Sequence, residues 1–391
     1  MKNTVNNNVP APKSLVRVFS DTVKQRSKVN FSLLLVAGLF TSGYAAGQQT
    51  TPSNSAIEVE ETQASTQTSP QTSLDRIESE STVLADKPPL AMPDSTAEWL
   101  TRLSEVVSTR NFQVSFVQSR AGGETVPYLW RHAVMPDGTV MEQLNLQNGP
   151  GRELIRVGDI VSVFEPDVSP YSLKSEHING PIPSSLLHHP NRLKTGYEFV
   201  SVGRARVAGR PAQQIRIVSR DNNRFSYQLW LDEETGMLLK LNMLDLQGGL
   251  LEQIQVTSME LTAAPDAYFE RINKASLPKP MVIPQRQSKA HSWYVDFLPK
   301  GMTEVKQDTR RLALTGQVVE YKMYSDGLVD VSVYVQPAAD ALGSDLVLRN
   351  NLSTFLTLTD GKAQVTVVGE IPLQTANAMA TSLTPTPAAN P

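Results

Sequence analysis

Alternation of apolar and polar positions is clearest in residues 196–261. Phe225, Tyr227, Leu229 and Leu231 share one side of a strand, with Ser226, Gln228 and Trp230 on the other, because side chains alternate across an extended chain. The next segment places Met237, Leu239, Leu241 and Met243 on one side and Lys240 and Asn242 opposite. Turn residues at Gly209-Arg210, Arg220 to Asn222, Asp232 to Gly236 and Gln247 to Gly249 punctuate the run. That pattern predicts a meander of antiparallel strands with one strongly apolar face. The face needs a cover, and what covers it is the functional question. The alternation admits a core face and a ligand wall equally. The candidate wall is Phe225, Tyr227, Leu229, Leu231, Leu239 and Leu241.

Upstream, Ser95 and Glu98 have the spacing of a capping box, and Trp99, Leu100, Leu103, Val106 and Val107 fall on one helical stripe. This predicts an amphipathic helix ending at Asn111, whose apolar side needs a sheet. Strands are expected over residues 112–118, 128–134, 139–146, 152–157 and 159–164. Residues 165–190 lose the period and carry turn and edge prolines, so they read as a long loop able to fold over the sheet. Leu173, Ile178 and Leu186 are its candidate lid residues.

Residues 274–284 contain three prolines and read as an extended connector. A second unit begins near His291. Trp293, Val295 and Phe297 alternate, and strands are expected over 317–324, 328–335, 352–358 and 364–368. Pro372 opens a helix with Leu373, Ala376, Met379 and Ala380 on its apolar side. The fold class is mainly β with α (α+β): a large N-terminal domain over 94–270, a linker over 271–290, a small C-terminal domain over 291–383 and a tail over 384–391.

Composition changes this picture at the N-terminus. Lys13, Arg17, Lys24, Arg26 and Lys28 precede an apolar run over 31–40, followed by small residues up to Ala45 and Ala46. That order marks a secretory signal peptide over 1–46, cleaved near Ala45 or Ala46, and predicts export. The apolar run is about half the ~20 residues that a spanning helix needs. Residues 47–93 are rich in Ser, Thr, Gln and Pro without period, which predicts a disordered segment.

Chemistry is sparse. With no cysteine, thiolate catalysis, disulfides and a lipid-modified N-terminal cysteine are excluded. A net charge of −3 gives no reason to expect nucleic acid. No G-x-S-x-G, P-loop, dinucleotide fingerprint or HExxH occurs, so no cofactor, metal or enzymatic activity is expected. His188-His189 is the one adjacent histidine pair, and a solvated loop accounts for it better than a metal. Arg131, His132, Arg152 and Arg156 lie among strands, where either cross-strand ion pairing or anion recognition suits them. Arg204 and Arg206 project to one side of the meander. They are a candidate basic rim for an amphiphilic anion, with a solvated face as the alternative.

Two runs now carry a resemblance: WRHAVMPDGTVMEQLNLQNGPGRELIRVGDIVSVFEPDVSPYSL and YEFVSVGRARVAGRPAQQIRIVSRDNNRFSYQLWLDEETGMLLKLNMLDLQGGLLEQIQV. With YSDGLVDVSVYV and VTVVGEIPLQTANAMA further on, the chain resembles the RseB/MucB family from about Trp99 to Ala380. The resemblance implies a large half-open antiparallel β-barrel of the LolA/LolB kind and a smaller second domain. It implies a periplasmic regulator of the sigma-E envelope-stress response that binds an RseA/MucA-type transmembrane anti-sigma factor. That regulator would shield the factor from site-1 proteolysis until lipopolysaccharide or another lipid releases it. It also implies a homo-oligomer. The competing reading is a periplasmic lipid or lipoprotein carrier of the LolA type.

Overall fold

The computed structural model describes residues 92–386, apart from 150, 282–290, 312–317, 339–344 and 351. The signal peptide, the cleavage site and nearly all of the Ser/Thr/Gln/Pro-rich segment lie outside the described residues, as does most of the tail.

Helix α1 (Thr96–Thr109) is capped by Ser95, whose side chain accepts from the Glu98 amide, while the Glu98 carboxylate reaches one residue past the cap to accept from the Asp94 amide. Its buried stripe is Trp99, Leu100, Leu103, Val106 and Val107, joined by Arg102. Six strands follow: β1 (Asn111–Arg120), β2 (Thr125–Val134), β3 (Val140–Leu146), β4 (Glu153–Val157), β5 (Ile160–Glu165) and β6 (Val168–Lys174). A short helix α2 (Ser184–His188) and a 3-10 turn (Pro190–Thr195) lead to five more: β7 (Tyr197–Val207), β8 (Arg210–Ser219), β9 (Ser226–Asp232), β10 (Leu238–Leu244) and β11 (Leu250–Thr262).

All eleven strands form one antiparallel sheet, ordered β6-β5-β4-β3-β2-β1-β11-β10-β9-β8-β7. Two meanders are therefore joined where β1 pairs with β11, with Phe112 opposite Leu261 and Arg120 opposite Glu252. The order leaves β6 and β7 as opposite edges. The chain passes directly from one to the other, so residues 175–196 must cross the sheet. They cross on the inner face, where one buried cluster unites α1, strands from both meanders and Ile178, Ile182, Leu186, Leu187 and Leu193 of the crossing. Burying that face is the main stabilising term, at roughly 25 cal/mol per Å² of apolar surface.

After β11 the chain runs over the outer face. Helix α3 (Ala267–Glu270) buries Phe269 against Ala133 and Met141. Farther on, the Met281 amide donates to the Ser172 carbonyl and the Ser172 hydroxyl donates to Pro278 O. The small domain contains β12 (Trp293–Val295), β13 (Thr303–Arg311), β14 (Val318–Ser325), β15 (Asp330–Pro337), β16 (Leu346–Asn350), β17 (Ser353–Thr359), β18 (Ala363–Gly369), helix α4 (Leu373–Thr381) and β19 (Leu383–Pro385). Six of its strands form a sheet ordered β13-β14-β15-β18-β17-β16, while β12 pairs with β19. Ala376, Met379 and Ala380 of α4 are buried in its core with Val331, Val333 and Val367.

Several expectations need correction. Residues 165–190 are not one loop: 168–174 are edge strand β6, with Leu173 opposite Val161 and only half-buried. Leu173 therefore belongs to the sheet and not to the crossing. Strands β13 and β16 carry too little apolar alternation to be anticipated. The start of the expected tail forms β19.

Candidate functional site

The inner face of the large sheet is the site that the pattern singles out. Strand β9 places Tyr227, Leu229 and Leu231 on it, Phe225 just precedes them, and Leu241 comes from β10, all buried in one cluster. Leu239 does not join them. The register of β10 against β9 steps from Leu238↔Leu231 to Lys240↔Trp230, leaving Leu239 as the extra residue of a bulge. Leu239 is buried instead with Val207, Ala212 and Trp230, and Leu238 takes its place in the main cluster.

Helix α1 and the crossing cover the face. Ile178 and Leu186 of the crossing are 8% and 0% exposed. The small domain adds Leu352, with Leu328 at the margin. Beneath the crossing, Phe116, Trp130, Leu144, Ile178, Ile182 and Leu187 line a space of about 20 Å³, with Glu142 and His188 at its polar end. That is room for about one water. The chain's own side chains fill this part of the face, and a space of that size holds no acyl chain.

The end of the inner face toward β2–β4 is polar. Glu142 accepts from Trp130 Nε1 at 2.7 Å and from Arg156 Nε at 2.8 Å, with both ion-pair side chains under a tenth exposed. Arg156 also donates to the Gly158 carbonyl. His132 donates from Nδ1 to Arg110 O at 2.7 Å, and its Nε2 is buried without a partner. Burial outweighs the Arg110 contact and lowers the His132 pKa. Above this end sit the histidines of the crossing. The His177 and His188 rings stack with centroids 3.8 Å apart. His188 and Glu142 both line the residual cavity.

The arginines divide. Arg131 is held by Gln113, Gln143 and Asp266, and Arg152 pairs with Glu165. Cross-strand pairing therefore accounts for both. Arg204 is exposed but clasped by both oxygens of Glu233, and Arg206 donates to the Gly209 carbonyl. The hydrogen bonds and charge of Arg204 hold the Glu233 carboxyl below its usual range.

Sequence reasoning missed the junction of the two domains. The Arg224 side chain is completely buried. It donates to Asp326 at 2.5 Å, to Asp221 at 3.1 Å and to the Gly196 carbonyl at 3.2 Å, and lies over the Tyr197 ring. Tyr197 donates to the same Asp326 oxygen at 3.0 Å, and the Lys300 amide donates to Asp221 at 2.6 Å. Burial opposes the Asp221 charge, but the Ser219 hydroxyl, the Lys300 amide and Arg224 overrule it and hold that carboxyl far below its normal range. The backbones meet closely here. A Cβ at Gly196 would lie 2.7 Å from Lys300 O, and one at Gly301 would lie 2.9 Å from Gly196 N. The Asp326 turn also touches the crossing, since Gly327 sits against Leu193 and Ser185. Only the D-x-x-R spacing of Asp221 and Arg224 hints at this from sequence.

Among the described residues no group of acidic and histidine side chains is arranged to hold a metal ion. The fold and site thus define a two-domain β-rich protein whose apolar face is closed by its own helix and crossing segment, with the second domain docked on that cover. The chain belongs to the MucB/RseB family: the MucB/RseB N-terminal domain matches residues 95–281 and the MucB/RseB C-terminal domain matches 287–384. The sigma-E factor regulatory protein RseB of Escherichia coli K12 is 34% identical over 275 residues, 70% of this chain and 85% of the relative. The sigma factor AlgU regulatory protein MucB of Pseudomonas aeruginosa is 32% identical over 320 residues, 77% and 94% of the two chains. Among solved structures, MucB in complex with MucA(peri) is 30% identical, with a TM-score of 0.59 over 75% of this chain and 100% of that one. The MucA/MucB complex of Pseudomonas aeruginosa aligns with a TM-score of 0.60 over 75% and 99% at the same identity.

Proposed function

We propose that this chain is a periplasmic negative regulator of a sigma-E-type envelope-stress response. It binds the periplasmic segment of an RseA/MucA-type transmembrane anti-sigma factor and shields that segment from site-1 proteolysis. Lipopolysaccharide or another lipid releases the shield. The observation that carries the reading is the likeness, across both domains, to MucB solved with MucA(peri). The signal-peptide pattern supports export.

The closed inner face supports a route for release. A ligand shifts a two-state equilibrium only by its differential affinity for the two states. Acyl chains have no room in the closed state and gain the wall of Phe225, Tyr227, Leu229, Leu231 and Leu241 once the crossing lifts. Because the Asp326 turn rests on that crossing, lifting it disturbs the docking of the second domain. A partner that spans both domains then loses part of its surface, and by reciprocity a bound partner resists lipid entry.

The test is a pull-down of the chain with the periplasmic segment of an RseA/MucA-type anti-sigma protein from the same organism, with and without lipopolysaccharide. Capture that lipopolysaccharide reverses is the expected result. Failure to capture the segment overturns the regulator reading, and capture indifferent to lipopolysaccharide overturns the release mechanism alone.

A further inference from the structure

The crossing segment carries three of the five histidines, and they pack together, with His177 and His188 half-buried and His189 exposed. The His177 and His188 rings lie face to face, 3.8 Å between centroids and 9° between planes, with His189 edge-on to His177 at 5.8 Å. The stack is wedged against α1. The Ser104 hydroxyl donates to the His188 carbonyl at 2.8 Å, and Ser108 Oγ lies 3.4 Å from His188 Nδ1. His177 Nδ1 is buried without a hydrogen-bond partner. The stack flanks the segment that buries Ile178, Ile182, Leu186 and Leu187 in the core.

The charged groups facing the stack come from every element around it: Arg156 of β4, Glu142 of β3, His132 of β2, Glu105 of α1, and Glu176, His189 and Arg192 of the crossing itself. Glu142 is already engaged by Arg156 and Trp130. Among the described residues neither His177 nor His188 has a carboxylate in ion-pair contact. Two neutral imidazoles stack favourably, whereas a proton on either adds a poorly solvated cation beside the other ring and Arg156.

We propose that the His177–His188 stack is a proton-sensitive latch: protonation frees residues 176–193 from α1 and uncovers the inner face of the sheet. The inference stands whether or not lipid is the effector, since it concerns the movement of the crossing alone. Burial, then His177 and Arg156, push the His188 pKa down to about 3, and burial and Arg156 lower that of His177. The neutral rings belong to the closed state, and the released rings recover an ordinary pKa near 6.5. The closed state therefore loses ground as pH falls below 6.5, and the loss levels off only near 3. For His188 alone, the opening equilibrium rises about 30-fold between about pH 7.5 and about pH 5.

Hydrogen exchange of the full chain tests this, with intrinsic rates corrected for pH. Protection at Leu186 and Leu187, whose amides donate to Pro183 O, is expected to fall by roughly 30-fold over that interval. Uptake of the uncharged dye N-phenyl-1-naphthylamine should rise in parallel. In the His177→Gln/His188→Gln variant both changes should vanish. Unchanged protection in the wild type, or a variant that keeps the wild-type pH dependence, overturns the proposal. If the variant fails to fold, nuclear magnetic resonance of the wild-type histidine rings decides. His188 should take up its proton only as the crossing amides lose protection, and titration near pH 6.5 with protection intact overturns the latch.

Discussion

Arg224 of the large domain and Asp326 of the small domain meet at 2.5 Å with side chains 0% and 1% exposed. Removing one partner of such a pair strands a charge out of water, which costs ~3–5 kcal/mol. Asp326→Ala should therefore lower stability to urea by about that amount, with Asp221 at 3.1 Å placing the loss toward the lower end. Asp159→Ala breaks the exposed pair with Lys174, whose side chains are 54% and 81% exposed, and should change stability by less than ~0.5 kcal/mol. Equal effects of the two substitutions would contradict the junction described.

Leu229 and Leu239 are both fully buried, but on opposite sides of the sheet. Each changed to Ala should cost ~2–5 kcal/mol in urea unfolding. Only Leu229→Ala should also weaken lipopolysaccharide binding by the folded protein, because Leu239 lies behind the bulge. Loss of binding in Leu239→Ala with Leu229→Ala unaffected would show that the inner face is not the ligand wall.

These two leucines also mark how far the sequence could be read. The meander was legible because turn residues such as Asp232 to Gly236 bracket clean alternation, and the capping box fixed the start of α1. The bulge was not, since Met237, Leu239, Leu241 and Met243 alternate without a visible break across the extra residue. Leu173 looked like loop because β6 is a short edge strand containing Pro170. The apolar residues Ile178 and Leu186 could be recognised as a cover, but alternation does not distinguish a face that the chain fills itself from one kept for a ligand. Arg224 was the least readable, since Asp326 lies 102 positions away and nothing local marks that arginine as buried.

The close approach at Gly196 and Gly301 gives a backbone test of domain docking. Gly301 has φ +86, so Gly301→Ala adds left-handed strain of ~1–2 kcal/mol to a Cβ pressed 2.9 Å from Gly196 N. Gly361 has φ +84 with open space around it, so Gly361→Ala carries the strain alone. Hydrogen exchange at Gly196 and Arg220 should accelerate in the first variant and not in the second. The same rate in both would place the strain, and not the contact, in control.

Acid should weaken the large domain in two stages. The folded pKa of His132 lies below 6.5, so its contribution to stability is complete at neutral pH and shrinks as pH falls below that value. The Asp232 carboxyl is lowered because Arg210 and Thr235 outweigh its burial, so its contribution is lost only below ~3.9, where the unfolded chain takes up protons first. Urea midpoints should decline as pH falls below about 6.5, and more steeply below about pH 4. A stability maximum near pH 5 would contradict the His132 assignment, and no further loss below about pH 4 would contradict that of Asp232.

The most direct measurement is the rate at which the site-1 protease cleaves the periplasmic segment of the anti-sigma protein in the presence of this chain. Cleavage should be suppressed when the chain is in excess and restored when lipopolysaccharide is added, with Leu229→Ala needing more lipopolysaccharide than the wild type. Cleavage that proceeds unchanged with the folded chain present would contradict the proposed function.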